Sequence, residues 1–173
     1  MPARQGSRWL RLLRHRWLDE SDVHRALDAA AMARLTAKVT ASEARHTGEI
    51  RLAVEAGLPL SYLWKGLTAR DRAVTLFGKL RVWDTEHNNG VLIYLLLADH
   101  AIEIVADRGI ARLVDSTEWQ AVVSSMQQAF RAGRFEAGLE QALSAVEGVL
   151  VSRYPATPGE QRVNELPDTP WTA

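Results

Sequence analysis

The feature that most constrains the fold is a run of eight consecutive apolar residues at 91–98, VLIYLLLA. Asn-Gly precedes this run and Asp-His follows it, and both pairs are typical of turns. A membrane span needs about 20 apolar residues, so the run is too short to cross a bilayer. A run of this length between turns indicates a strand that is buried on both faces, at the centre of a sheet covered on both sides.

Two segments with alternating polarity accompany the central strand. Residues 48–55 place Ile50, Leu52 and Val54 on one face and mostly polar residues on the other, which predicts a strand near a sheet edge. Residues 101–107 alternate in the same way and follow a short turn, which predicts a hairpin with the central strand. A helical connection between the first two strands makes them parallel, with a right-handed crossover.

Helical patterns occupy most of the remaining chain. Asp28 can cap a helix over 29–45, and Thr68 with Asp71 forms a capping box for the next helix. Residues 56–67 are predicted to form an ordered loop. Two closing helices follow, the first capped by Ser116 or Thr117. The order of helices and strands predicts an α/β fold with a small mixed β-sheet.

Length and composition favour a single domain. The chain has 173 residues, of which 47% are hydrophobic, enough for one full core. We expect a basic helical extension at 1–27, an α/β domain at 28–155 and an extended tail at 156–173. The lack of cysteine excludes a disulfide, a thiolate nucleophile and a cysteine-ligated metal. The zero net charge argues against nucleic acid as a partner.

The charge is unevenly distributed along the chain. Residues 1–18 contain five arginines and no acidic residue, whereas the whole chain has 21 basic and 21 acidic residues. Arginines interrupt the apolar residues of this segment, so it is not a secretory signal, and we expect a cytoplasmic protein. The segment can pack on its own domain, or it can contact an anionic membrane surface or a partner in a membrane complex through residues 4–18.

The topology brings several polar side chains to one edge of the sheet. If Asp99 and His100 are the two turn residues of the hairpin, Val91 lies opposite Arg108. The starts of the two parallel strands then share an edge with the end of the third. Such a set can bind a hard cation through carboxylate and amide oxygens, can bind phosphate, or can form ordinary turns. The opposite edge, with Glu55, Asp99 and His100, ranks second. The residues at the first edge are His46, Thr47, Asn88, Asn89, Gly90, Asp107, Arg108, Gly109 and Asp115.

Four stretches resemble a known family when they are taken in order. They are residues 42–51 (SEARHTGEIR), 88–94 (NNGVLIY), 103–110 (EIVADRGI) and 130–138 (FRAGRFEAG). Their order and spacing are similar to those of the TPM domain family, over about residues 42–150. The Asn-Glu-Leu-Pro-Asp tail resembles that of a soluble bacterial branch of the family.

The resemblance implies a fold and a site. The fold is a three-layer α/β/α sandwich, Rossmann-like and formed by a single domain. Some members bind a divalent metal, with calcium reported, and some have weak acid phosphatase activity. Their pocket is formed by loops that correspond to Asn88-Asn89-Gly90, Asp107-Arg108-Gly109 and Asp115. Many members have a glutamate at the position of Ala111, so this chain has one acidic ligand fewer.

Roles follow if the resemblance is transferred to the matching positions. Asp107 and Asp115 would hold calcium or magnesium, with oxygens from Asn88 and Asn89. Asp107, Arg108 and Asn89 would serve hydrolysis of a phosphomonoester on a small molecule or a protein, with Arg108 paired to the phosphate. The alternative is a non-catalytic interaction domain that helps to assemble or maintain a membrane-associated complex.

Overall fold

Four strands form one mixed sheet in the computed structural model, which describes residues 3–157, 159 and 163–173. The order across the sheet is β3-β2-β1-β4. β1 and β2 run parallel, with Ile50 opposite Val91, and β2 and β3 are antiparallel. The predicted mixed sheet and the parallel connection are therefore confirmed. The strands are β1 (Glu49–Glu55), β2 (Gly90–Leu96), β3 (Ala101–Ala106) and β4 (Trp171–Thr172).

Helices cover both faces of the sheet. One core joins the face of Ile50 and Ile93 to the helices at 20–43 and 116–153, and the other joins the face of Leu92 and Tyr94 to the helices at 60–79. This arrangement confirms the three-layer α/β/α sandwich. Within the described residues the helices are α1 (Ala3–Trp17), α2 (Glu20–Ala26), α3 (Ala29–Glu43), α4 (Leu60–Lys65), α5 (Ala69–Lys79), α6 (Arg108–Ala111), α7 (Ser116–Arg131) and α8 (Phe135–Arg153). None of these helices is long and apolar enough to cross a bilayer.

Side-chain caps fix the starts of several helices. The Asp28 carboxylate accepts a hydrogen bond from the Ala31 amide at 2.7 Å, as predicted for α3. Thr68 and Asp71 form the predicted capping box of α5. The cap of α7 was predicted one or two residues too late: Asp115 holds that position, because its carboxylate reaches the amide of Thr117 at 2.9 Å.

The segment at 56–67 is not only a loop, because it contains α4. Pro59 precedes this short helix and Gly66 ends it in a left-handed conformation, with φ of 69°. Leu63 is buried from α4 into the second core, which explains why so short a helix is stable here. The interpretation of residues 56–67 as loop alone is therefore wrong.

The hairpin register differs from the predicted one by two residues. Val91 lies opposite Ala106, not Arg108, and the turn contains four residues, 97–100. Leu97 donates its amide hydrogen bond to the Glu55 carbonyl at 2.9 Å instead of pairing with β3. The end of the apolar run therefore continues the parallel pairing with the first strand, which lengthens the turn. A shift of two residues leaves every side chain on its expected face.

β1 does not lie at a sheet edge, because the C-terminal segment covers it. β4 pairs with β1 in parallel, with Trp171 opposite Ala53. The polar face of β1 is buried: the Arg51 guanidinium donates to the Pro167 carbonyl at 2.6 Å and also to the Thr169 carbonyl. Alternation predicted a strand near a sheet edge, but its polar side chains bond to other parts of the protein: Arg51 to backbone carbonyls and Glu55 to Arg72 and Tyr94.

Candidate functional site

Two loops at the amino ends of the parallel strands are bonded to each other. The Arg108 Nε donates to Asn88 Oδ1 at 2.9 Å, and the Gly109 amide donates to the Asn88 carbonyl at 3.0 Å. A Cβ at Gly109 would lie 2.4 Å from that carbonyl oxygen, so the contact requires glycine. Asn88 has a φ of 51°, a left-handed conformation that asparagine tolerates better than most residues. The prediction that these two loops lie side by side at one edge of the sheet is therefore confirmed.

Asn89 is buried at the start of the central strand. Its amide group donates to the Thr47 carbonyl at 2.6 Å, and its backbone amide donates to the Thr85 hydroxyl at 3.1 Å. Its side-chain oxygen, Oδ1, is buried and accepts no hydrogen bond within the described part of the chain. A buried carbonyl oxygen without a partner costs free energy, so this atom is available to a ligand or an ordered water.

Asp107 ends β3 and begins the short helix α6. Its backbone amide donates to the Gly90 carbonyl at 2.9 Å, which places it beside the start of the central strand. One carboxylate oxygen accepts from the Arg108 amide at 2.6 Å. The other, Oδ2, is buried and accepts no hydrogen bond from any described residue. A buried carboxylate oxygen without a hydrogen-bond partner can bind a cation or accept a hydrogen bond from water.

Tyr154 lies close to the same edge, and the sequence pattern did not indicate it. Its carbonyl accepts from the Thr47 amide at 2.7 Å, and the Thr47 carbonyl in turn accepts from Asn89. Burial raises the pKa of the Tyr154 phenol, and the negative charge of Asp107 raises it further. The end of α8 therefore closes one side of the site, a contact between distant parts of the chain that no local motif signals.

Two other predicted site residues have structural roles. Asp115 is exposed and uses one carboxylate oxygen to cap α7. His46 is fully buried, with Nε2 2.9 Å from the Ser42 hydroxyl, and its backbone bridges to Pro155. Through these contacts both residues stabilise the local structure around them.

The donors at this edge are suited to a hard cation. Asn89 Oδ1 and Asp107 Oδ2 are oxygen atoms, the ligand type that calcium and magnesium prefer. Among the described residues, no three histidine or acidic side chains are grouped to hold a metal. The residue types at this edge are therefore those that a hard cation takes as ligands, and they are not those of a transition-metal site bound by several imidazoles.

The acidic groups at the opposite edge already have protein partners. Glu55 is buried and accepts hydrogen bonds from Arg72 Nε and the Tyr94 hydroxyl, both at 2.8 Å. Asp99 accepts from Arg11 at 3.0 Å and faces His15 at 3.1 Å. Burial disfavours the charged form of Asp99, but the hydrogen bonds from His15 and Arg11 outweigh it and hold the pKa well below its usual range. This edge is consequently a structural contact between the N-terminal helix and the body.

Comparison with known proteins places the chain in a family. A model of the TPM domain matches residues 21–149. The NMR structure of the BA42 protein from the psychrophilic bacterium Bizionia argentinensis is similar, with a TM-score of 0.73 and 26% identity over 85% of this chain and 95% of that one. The N-terminal domain of a P. gingivalis protein shares the fold, with a TM-score of 0.60 and 20% identity over 74% of this chain and 78% of that one. No curated protein matches. The chain belongs to the TPM domain family.

Proposed function

We propose that this TPM domain binds a divalent cation, calcium or magnesium, at the edge formed by residues 88–90 and 107–109. The observation that supports this proposal is the pair of buried oxygens, Asn89 Oδ1 and Asp107 Oδ2, that accept no hydrogen bond from the described chain. Two such atoms on adjacent strands would each carry a desolvation cost that a bound cation removes.

The ligands would come from both loops. Asp107 supplies the charge and Asn89 a neutral oxygen, and Asn88 lies beside them. Asp115 would join the set through the same carboxylate that caps α7. Because Asn88 Oδ1 already accepts from Arg108, its share in the cation site is a second lone pair. Ala111 is exposed at the end of α6, where the family resemblance implies a glutamate, so we expect weak binding.

Hydrolysis of a phosphomonoester is the activity that we propose for this site. A bound divalent cation would supply an activated water and a positive charge beside the phosphoryl oxygens. Arg108 is exposed beside Asn88, where its guanidinium can pair with the phosphate of a small molecule or a protein. Asn89 would orient the water, and Asp107 would hold the cation.

Calcium or magnesium titration followed by amide NMR shifts tests the cation site. We expect shifts at residues 88–90 and 107–115, and their loss in Asp107→Asn, which keeps the cap of α6 but removes the charge. Asp84→Asn is the matched control, because Asp84 is an exposed aspartate. Ala111→Glu should tighten binding about tenfold or more by adding a carboxylate. Absence of shifts in both the wild type and Ala111→Glu would exclude the site.

Turnover of a generic phosphomonoester with added metal tests the activity separately. The wild type should hydrolyse it, and Asp107→Asn should lower the rate at least about a hundredfold. Asp84→Asn should retain the wild-type rate. A wild-type rate equal to that of Asp107→Asn would reject the catalytic proposal, even if a cation binds.

A second candidate, docking to a membrane-associated complex, is favoured by one observation. α1 carries four large apolar side chains that are half exposed or more. The test is sedimentation of the full chain with native bacterial membranes. Leu10→Ser with Leu13→Ser should reduce binding, whereas Val74→Ser, an exposed apolar change on α5, should not. Equal sedimentation of all three proteins would reject docking through this helix.

A further inference from the structure

The N-terminal helix is attached to the body through its polar side. Arg11 bonds to Asp99 at 3.0 Å, and Arg14 also bonds to that carboxylate. His15 is fully buried: its Nδ1 accepts from the Leu58 amide at 2.9 Å, so its Nε2 carries the proton that faces Asp99. The backbone is close as well, since a Cβ at Gly57 would lie 2.7 Å from the His15 carbonyl oxygen. Leu12 also packs against the second core, but the other large apolar side chains described on α1 lie away from the body, whereas helices usually pack with their apolar side inward.

The apolar side of α1 consequently faces outward. Trp9 is 66% exposed, Leu10 70%, Leu13 53% and Trp17 81%. At 3.6 residues per turn these four side chains share one face of the helix, flanked on one side by Arg14 and on the other by Arg16. Clustered exposure of this kind marks an interaction surface rather than the scattered apolar residues found on any protein.

α4 extends this face beyond the N-terminal segment. α1 and α4 border an open cleft of about 780 Å³, which Trp9 and Trp64 both line. Trp64 is 73% exposed, and Lys65 beside it is also exposed. We call the combined surface of Trp9, Leu10, Leu13, Trp17, Trp64 and their flanking basic residues the tryptophan face.

We propose that the tryptophan face binds the surface of an anionic lipid bilayer, a proposal that rests on the membrane docking proposed above. Tryptophan rings are enriched at the level of lipid headgroups, where one end of the ring is apolar and the other is wet. Helices that lie in this interface carry arginine or lysine beside tryptophan and leucine. The basic residues are Arg16 and Lys65, with Arg14 at the border, where it also pairs with Asp99. Residues 1–18 contain no acid that would repel anionic headgroups.

Flotation of the full chain with pure lipid vesicles tests this proposal. The vesicles contain phosphatidylcholine alone or phosphatidylcholine with an equal part of phosphatidylglycerol. The wild type should bind the anionic vesicles at least about tenfold more tightly, and added salt should weaken this binding. Trp17→Ser and Trp64→Ser should each lower the affinity about tenfold.

Trp83→Ser is the matched control. Trp83 is 51% exposed, but it follows α5 at the end of the sheet opposite to Asp99, so its loss should leave binding unchanged. Circular dichroism melts of all variants check that each folds. Asp107→Asn should float like the wild type, which separates this surface from the cation site.

Three results would overturn the proposal. These are equal binding to neutral and anionic vesicles, retention of wild-type affinity by Trp64→Ser, and absence of flotation with either lipid. If native membranes bind the chain while pure lipid does not, a membrane protein is the partner, and the docking function survives without the lipid proposal. If neither native membranes nor pure lipid binds the chain, the docking function and the lipid proposal both fail.

Discussion

Glu55 illustrates, at the scale of one residue, how a polar side chain on a strand can stabilise the fold instead of forming a site. Its carboxylate is 3% exposed and bonds to Tyr94, which is fully buried, and to Arg72, whose side chain is 11% exposed. The hydrogen bond to Glu55 raises the pKa of Arg72 above its ordinary value, and burial with the charge of Glu55 raises that of Tyr94. The three side chains therefore form one hydrogen-bonded unit around an ion pair, in which Arg72 and Tyr94 donate and Glu55 accepts.

Removing one charge of this unit should be costly. We expect Glu55→Gln to lower the free energy of unfolding by about 3–5 kcal/mol, because Arg72 is left buried without a counter-charge. Urea unfolding followed by tryptophan fluorescence measures this value. The double variant Glu55→Gln with Arg72→Met removes both charges and should be more stable than the single one. A single variant as stable as the wild type would show that water reaches the pair.

Asn89 illustrates what sequence can predict about the candidate site at this scale. Its place next to a buried strand was enough to locate it at the correct sheet edge. The state of its oxygen was not predictable, because that depends on Thr47 and Thr85, which fold in from other segments. Tyr154 was missed for the same reason, since its carbonyl meets Thr47 only after α8 has packed on the sheet.

Among the elements, α1 is joined to the body largely through one carboxylate, although Arg11 also donates to the Leu67 carbonyl and His15 accepts from Leu58. Asp99 receives hydrogen bonds from Arg11, Arg14 and His15, which join the helix to the hairpin turn. The aspartate has a folded pKa below its ordinary value of 3.8. The ionised form is therefore favoured in the folded state, and its contribution to stability is present above about pH 4 and lost as the pH falls through the folded pKa.

Asp99→Asn tests whether the charge of Asp99 stabilises the folded protein. At neutral pH the variant should be less stable than the wild type by about 1–3 kcal/mol, since it loses charge-assisted hydrogen bonds. The difference should shrink as the pH falls below about 4. Urea unfolding at several pH values measures it, and Asp84→Asn should change little at any pH. A difference that stays constant with pH would mean that the charge of Asp99 does not hold α1.

Elements were predicted well where local chemistry decides them. The caps at Asp28 and Thr68 and the buried strand at 91–96 depend on neighbours in sequence, and the structure confirms them. The hairpin register was wrong because Leu97 and Ala98 bond to Glu55 at the end of β1 and to Ala56 just after it, a competitor that turn chemistry alone does not reveal. α4 was missed because its stability comes from Leu63 in the second core.

In the whole molecule, the C-terminal segment turns β1 from an edge strand into an internal one. The Ala56 amide donates to the Ala173 carbonyl at 2.9 Å, and the Ala173 amide donates to the Val54 carbonyl at 3.1 Å. Arg51 binds the segment by donating to two of its backbone carbonyls, those of Pro167 and Thr169. Burial lowers the pKa of the Arg51 guanidinium without removing its charge. Closing this edge hides backbone groups that could otherwise pair with another chain.

Arg51→Met tests this closure. Methionine keeps an apolar stem but loses the donors, so the C-terminal segment should detach locally. Hydrogen exchange at the Ala56 and Ala173 amides should rise about tenfold or more, while amides of β2 stay protected. Arg81→Met, at an exposed arginine, is the control. Unchanged exchange at Ala56 would show that the β4 pairing alone retains the segment.

The sequence by itself determined the layered fold, the parallel and antiparallel pairings, the helix caps at Asp28 and Thr68, and the edge where the loops at 88–89 and 107–108 meet. Each of these depends on local periodicity and on short-range hydrogen bonding. Only the tertiary structure decided which polar groups are paired and which oxygens are left open. It also decided that α1 faces the body with its polar side. These outcomes depend on contacts between distant segments, because burial and partner geometry exist only once those segments have packed.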